Sequence, residues 1–497
     1  MEELTQYLLW SIFFFIAIAM LLRRRSSRNL ALPPGPRPLP VLGNLLELGQ
    51  NPHRSLALLA RIHGPVMYLK LGSITQSSSP LQPPQKKSLK QKITPPPPDK
   101  SQILSQAVGH HQVSVIWLSP NQSWRYLRTL MKANLFNAKS LNATELLRRR
   151  KVRELIAYIK GKNGEAVHVA RAAFCTVLNL ISTTFLSIDM VDIFQSESAQ
   201  ELKDLMSGIM EEVGRPNVSD FFPFLAPIDL QGCRRRFAAY IKKLSDFFDE
   251  VIENRLAGGG GRNKHDILNA LLQLSREENS KLSRNTIISF LIDSFAAGSE
   301  TSSATLEWAM VELLRSPEQM ATAREEIATV IGLEREVEES DMSRLPFLQA
   351  VLKETLRLHP PGPLLVPHKT EESTEINGYA VPKNSQFLVN VWAIGRDERL
   401  WENPDCFMPE RFVAGGEIDF RGHHFELLPF GSGRRICPGM PLGVRMVQLM
   451  LASLLQSFEW GLPDGMKPED LDLTEKHGLS TVLAAPLKAI ATPTKHN

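Results

Sequence analysis

The chain has 497 residues, 43 % of them hydrophobic, enough to bury a large core in one domain or two. A formal charge of +4 is small for that length, and without a long basic patch it gives no reason to expect nucleic-acid binding. The cysteines, Cys175, Cys233, Cys406 and Cys437, are widely spaced with no C-x-x-C pair, which excludes a disulfide framework or structural zinc site and suits a reducing compartment.

From Leu4 to Leu22 the chain is uncharged for 19 residues, about the length of helix that crosses a bilayer. Arg23, Arg24 and Arg25 follow at once, whereas Glu2 and Glu3 stand where a cleaved signal would be basic. Residues 1–22 therefore read as a single-pass transmembrane anchor inserted in membrane lipid, with the body of the protein on the cytosolic side. Residues 23–44 form a basic and Pro-rich hinge, because prolines at 33, 34, 36, 38 and 40 preclude regular helix and favour an extended spacer.

Residues 45–497 form the cytosolic domain, with one atypical low-complexity segment at 76–100. Seven prolines and five lysines lie there among almost no apolar residues, the composition of a disordered loop. Helical spacing of apolar residues predicts helices over Leu147–Lys160, Ser280–Arg315 and Ser316–Ile331, the last with Ser316 as N-cap and Pro317 in first position. After Glu375 the pattern changes to short strands with Asn-Gly and Pro-Lys-Asn turns. The fold class is mainly α with a minor β domain.

Cys437 lies in "LLPFGSGRRICPGMPLG" (427–443), just ahead of an apolar run with the density of a buried helix. A thiol before a helix N-terminus is favoured as thiolate, and Gly431, Gly433 and Gly439 let the backbone pass close to a flat partner. Three readings of these residues stay open. A lone thiolate suits a haem iron, an inert core cysteine is the plain account, and a nucleophile lacks a histidine and acid arranged nearby.

Phe430, Gly433, Arg435, Cys437 and Gly439 match F-x-x-G-x-R-x-C-x-G, which resembles the haem-binding signature of the cytochrome P450 monooxygenases. The resemblance implies that fold, with a long central helix, and Cys437 as axial ligand of haem b. Three further motifs occur in that family's order. In "KETLRLHPPGP" Glu354 and Arg357 share a helix face, where a surface ion pair is the plain reading; with Arg411 of "MPERF" they resemble a buried Glu-Arg-Arg brace. "AAGSETSS" resembles the oxygen-activating motif, implying a notch at Gly298, a supporting hydroxyl at Thr301 and a proton relay through Glu300. Trp124 and Arg128 of "WRYLR" match W-x-x-x-R, and with Arg435 and His368 they are implied partners of the haem propionates.

"PPGPRPLPVLGNLLELG", "PPGPLLVPHK", "INGYAVPK" and "LDLTEKHGLS" resemble the plant endoplasmic-reticulum members, in the branch of geraniol hydroxylases and other terpenoid oxidases. The implied activity is hydroxylation of a small lipophilic plant metabolite, a monoterpenol or other terpenoid, with dioxygen. Electrons from NADPH are implied to arrive through a separate NADPH-cytochrome P450 reductase, with cytochrome b5 as a further partner, since no dinucleotide-binding motif is present here. Asp293, Ala297, Leu364, Leu365, Ser480 and Thr481 are the implied substrate contacts, with Asp293, Ser480 and Thr481 available to hold one hydroxyl. Two alternatives stand beside this reading: a haem-thiolate isomerase or dehydratase independent of reductase, and a non-catalytic remnant owing to 76–100.

Overall fold

A computed structural model describes residues 32–79, 93–94, 104, 108–194, 196–258, 266–278, 281–370, 372–414 and 418–494. The anchor expected over 1–22, the first part of the hinge and most of 80–103 lie outside the described residues. The helices that frame the site are α1 (Pro52–His63), α2 (Gln122–Asn134), α3 (Glu145–Lys160), α4 (Val169–Leu186), α5 (Ser196–Gly214), α6 (Cys233–Leu256), α7 (Arg284–Arg315), α8 (Pro317–Val330), α9 (Pro346–Leu358) and α10 (Met440–Ser457).

The helix starts follow local chemistry. Asn121 accepts the Trp124 N–H at 2.8 Å to cap α2, and Ser283 accepts the Thr286 N–H at 3.2 Å to cap α7. Proline occupies the first turns of α8, α9 and α10, where its missing N–H is no loss. The 32-residue α7 is buried on nearly every face, because α4, α5, α6, α8, α9 and α10 all pack around it. Among the described residues α4 is long and apolar enough to span a membrane, but 83 % of it is buried inside the fold as a core helix.

Strands β1 (Met67–Leu71), β2 (Ile74–Ser79), β3 (Ile93–Thr94), β4 (Ala166–His168), β5 (His368–Thr370), β6 (Thr374–Ile376), β7 (Tyr379–Val381), β8 (Gln386–Val389), β9 (Phe458–Gly461), β10 (Glu475–His477), β11 (Thr481–Leu483) and β12 (Lys488–Pro493) complete the described elements of the minor component. Among the described residues the largest sheet has the order β1-β2-β8-β5-β3. Hairpin β6–β7 turns at Asn377 and Gly378, both with positive φ, as the Asn-Gly dipeptide predicts.

Two expectations change. Gln76–Ser79, the start of the low-complexity segment, is not loop: it forms most of β2, antiparallel to β1 and parallel to β8 in the register Gln76↔Gln386 to Ser79↔Val389. A sheet ladder is made of backbone N–H and C=O groups, which serine and glutamine supply as well as apolar residues do. The second half of the hinge is no free spacer either. Pro34 O accepts the Tyr68 N–H at 2.9 Å and Asn44 N–H donates to Lys70 O at 2.6 Å, so the prolines lie along β1. A Cβ on Gly35 would come within 2.0 Å of Tyr68 O, which is why glycine interrupts the proline run.

Candidate functional site

A cavity of about 440 Å³ opens between α7, the loop 361–368 and the segment 428–439. Cys437 lies on its floor. The turn that presents the thiol needs Gly431 and Gly433 at φ +70° and +69°, and it closes with Cys437 N–H donating to Phe430 O at 2.9 Å. Gly439 is the N-cap of α10, and its N–H and that of Met440 approach the sulfur. Burial outweighs these contacts and the Arg128 charge and pushes the free thiol up. Phe430 lines the floor and meets Phe420 edge-on at 5.5 Å.

Basic groups crowd one edge of this floor. Arg128, His368 and Arg435 all line the cavity, and Arg435 lies 4.3 Å over the Trp124 ring. Burial, with Arg128 and Arg434 nearby, brings Arg435 down to about 9, and burial with the Arg435 charge brings His368 down to about 4. Among the described residues Arg435 Nε and His368 Nδ1 are buried and find no hydrogen-bond partner. Asp293 is the one acidic side chain among the described lining residues, and its oxygens are already occupied. A buried cationic edge without a countercharge, beside a lone thiol on a glycine-lined floor, fits an iron macrocycle bearing carboxylates. Trp124 lines the cavity as well, with its indole N–H donating to Val115 O at 3.2 Å. Arg128 Nη2 donates to Ile436 O at 2.7 Å and so ties α2 to the thiol turn.

Below the floor Glu354, Arg357 and Arg411 meet as one cluster. Arg357 donates twice to Glu354 at 2.7 Å, and Arg411 Nε donates to it at 3.1 Å. Arg357 also reaches the carbonyls of Gly395, Pro404 and Cys406.

On the roof, Ala297, Gly298, Thr301 and Ser302 of α7 line the cavity. Thr301 Oγ1 donates to Ala297 O at 2.7 Å and keeps its lone pairs for the cavity. Gly298 lines the cavity, and an added Cβ there would stand 2.8 Å from Ile181 Cδ1 on α4. Glu300 does not line the cavity, because adjacent helix residues point about 100° apart. It is buried and accepts a hydrogen bond from Ser480, which does line the cavity, while its Oε2 has no hydrogen-bond partner among the described residues. Burial raises the Glu300 pKa, against the opposing contacts of Ser480 and Ser207.

The expected substrate contacts divide. Ala297, Leu365 and Ser480 line the cavity, Leu365 with a positive φ of 52°. Leu364 turns the other way and packs beside Leu48, Leu56 and Met67. Thr481 is buried in β11, with its N–H on Pro361 O at 2.8 Å, because successive strand residues face opposite sides. Asp293 is no free acceptor: it takes hydrogen bonds from His110, Ser114 and Val115. Sequence reasoning missed Val115, Ile116, Ile181, Met210 and Leu479, lining residues on separate elements that carry no motif.

The family model for cytochrome P450 matches residues 33–489. Geraniol 8-hydroxylase of Swertia mussotii is 48 % identical over 476 residues, 94 % of each chain. Geraniol 8-hydroxylase of Catharanthus roseus is 47 % identical over 491 residues, 97 % of each chain. Drimenol monooxygenase of Persicaria hydropiper is 43 % identical over 490 residues, 98 % of this chain and 97 % of its own.

Proposed function

The chain belongs to the cytochrome P450 family, and from that premise we propose that it hydroxylates a small terpenoid alcohol held in the cavity above Cys437. Membership makes it a haem-thiolate monooxygenase, for which haem b and NADPH-derived electrons delivered by a partner reductase are family properties. The observation that carries the site reading is the thiol of Cys437 beneath an apolar cavity whose edge holds Arg128 and Arg435, bonded to backbone carbonyls but facing no carboxylate among the described lining residues.

Cys437 would ligate the haem iron, with Phe430 and Gly439 beside it, and Arg128, Arg435 and His368 would meet the propionates. When bound, the haem supplies dioxygen activation and delivery of one oxygen atom to a carbon. The chain's own residues do the remainder. Ile116, Ile181, Phe185, Val366 and Leu479 form apolar walls that exclude water and confine a lipophile. Thr301 offers an acceptor beside the reacting space, and Ser480 backed by the protonatable Glu300 can hold or pass a proton at its Oγ. Glu354, Arg357 and Arg411 brace the floor.

Terpenoid alcohols are favoured because two similar relatives are geraniol 8-hydroxylases and a third is a drimenol monooxygenase. Ser480 is a polar side chain at the wall that can accept from such a hydroxyl, now that Asp293 is engaged by three donors and Thr481 does not line the cavity. Reductase, with cytochrome b5 as a further donor, would serve the chain at the endoplasmic reticulum, held there by residues 1–22. The test uses the full chain in microsomes with reductase. Carbon monoxide on the reduced protein should give the Soret band of thiolate-ligated haem, lost in Cys437→Ala, and geraniol should yield a hydroxylated product only with NADPH and oxygen. Product without either reagent would favour an isomerase, and folded protein without the band would end the haem-thiolate reading. Soret-shift binding confined to phenylureas or alkaloid precursors would overturn the substrate.

A further inference from the structure

Asp293 lies on α7, two turns before Thr301, at the rim of the cavity, and is only 5 % exposed. Its Oδ1 accepts from His110 Nε2 at 2.9 Å, and its Oδ2 accepts from Ser114 Oγ at 2.7 Å and from the Val115 N–H at 2.9 Å. His110 is fixed from behind by Ser289, one turn earlier on the same helix, with Nδ1 and Oγ 3.0 Å apart. Ser114 Oγ accepts the Ile116 N–H at 3.1 Å in turn. The carboxylate therefore has three protein donors for roughly four acceptor sites, and the segment it holds contains two cavity-lining residues, Val115 and Ile116.

The opposite edge of that segment is held from the floor. Val115 O accepts from Trp124 Nε1 at 3.2 Å and from Arg435 Nη1 at 3.4 Å. Arg435 also reaches Ile116 O at 3.4 Å and Leu118 O. One stretch of backbone thus joins the roof helix to the cationic edge of the floor, with the Val115 N–H on the first and the carbonyls of Val115, Ile116 and Leu118 on the second.

We propose that Asp293 is a positioning residue that sets substrate selectivity through Val115 and Ile116 rather than by touching the substrate. The inference rests on the cavity being the monooxygenase site. The buried carboxylate clamps two side-chain donors and one backbone N–H, so its loss leaves them without their acceptor and frees the wall to move. Asparagine is not an adequate substitute, because its amide N–H₂ would face donors on one side of the network. Ser114→Ala removes two of the network's bonds without touching the carboxylate.

The test compares Asp293→Asn, Asp293→Ala and Ser114→Ala in the full-length holoenzyme with geraniol as probe. Measured are the dissociation constant by Soret shift, the product ratio, and amide hydrogen exchange in peptides covering residues 110–118. All three variants should keep the carbon monoxide Soret band, exchange faster across 110–118, weaken geraniol binding by about tenfold as the loss of a charge-assisted bond implies, and alter the product ratio in the same sense. Asp293→Ala acting on binding while Ser114→Ala and the exchange of 110–118 match the parent would assign direct substrate contact and overturn the proposal. Unchanged exchange and binding in all three would overturn it as well. If Asp293→Ala does not accumulate, the Asn and Ser114 variants decide. A parent that makes no product from geraniol counts against the terpenoid reading alone, since the exchange and a Soret-shift screen of other lipophiles still decide the role of Asp293.

Discussion

Glu354 and Arg357 are both buried, one helical turn apart on α9, and are joined by two parallel 2.7 Å hydrogen bonds. Arg411 and the Met408 N–H complete the carboxylate at 3.1 and 2.8 Å, and the Arg357 plane lies 5.4 Å from the Trp401 ring. Removing one member leaves an uncompensated buried charge, so Glu354→Ala should cost about 3–5 kcal/mol. Arg357→Lys should fare little better, because a point charge cannot span the carbonyls of Gly395, Pro404 and Cys406 together with both carboxylate oxygens. Thermal unfolding and haem bound per chain measure this; a stable, fully loaded Glu354→Ala protein would refute it.

Gly214 ends α5 against the hairpin tip that carries Ser480. A Cβ there would stand 1.9 Å from Gly478 C and 2.0 Å from Leu479 N, both backbone atoms that cannot swing aside. Leu479 N–H also donates to Met210 O at 2.8 Å, so the tip is fixed to α5 and cannot retreat freely. Gly214→Ala should destabilise by about 1–3 kcal/mol through overpacking. It should also weaken substrate binding by displacing Leu479 and Ser480 in the cavity wall. Unchanged melting and binding would contradict the contact.

Gly298 gives the opposite expectation. The atom nearest an added Cβ is Ile181 Cδ1 at 2.8 Å, the free end of a side chain that can change rotamer. Alanine in place of a mid-helix glycine gains about 1 kcal/mol of helix stability. Gly298→Ala should therefore melt at or above the parent temperature while narrowing the cavity and shifting the preferred substrate towards smaller alcohols. A fall of several degrees would mean that Ile181 is not free to move.

The parts of the site legible in the sequence are those whose chemistry is local. Cys437, Arg435 and Phe430 lie within eight residues of each other, and Glu354 with Arg357 within four, so spacing alone brings each set together. The helix at Leu147–Lys160 began only two residues earlier than its apolar pattern predicts, and Ser316 and Pro317 open α8 as expected. What could not be read depends on partners far apart in the chain. Asp293 carries a carboxylate suited to a substrate hydroxyl, and nothing in its own helix reveals that His110 and Ser114, about 180 residues away, already occupy it. Leu364 and Leu365 are the same residue type, and only the positive φ at Leu365 decides which one faces the cavity. Gln76–Ser79 misled in another way, because composition reports side chains and a strand is paired through its backbone.

The last expectation concerns acid. His53 on α1 is fully buried, with Nε2 3.0 Å from Glu475 Oε2, and Arg54 Nε donates to the same oxygen at 2.7 Å. Burial alone would raise Glu475, but the His53 and Arg54 contacts outweigh it and hold the carboxyl down at about 2. His477, two residues along β10, has its ring 5.4 Å from His53, and burial together with the His53 charge brings it down to about 4. Both folded-state values lie below the unfolded ones, about 4.3 for glutamate and 6.5 for histidine. Each group therefore contributes stability that is complete above its unfolded value and is lost as pH falls through the folded one. His477 should withdraw its share between about pH 6.5 and 4, and Glu475 should withdraw its share between about pH 4.3 and 2. His368, also held down at about 4, shares the upper window, while the buried carboxyls of Glu300, raised, and Glu307, raised to about 7, gain stability as pH falls and oppose it. His477→Asn should therefore make the change in melting temperature from pH 7 to 5 less negative while leaving the lower decline. Because Ser480 follows His477 by three residues through the clamped tip, geraniol binding should weaken over the same upper window in the parent and not in the variant. A variant with the parent's slope between pH 7 and 5 would show that His477 does not carry this part of the acid response.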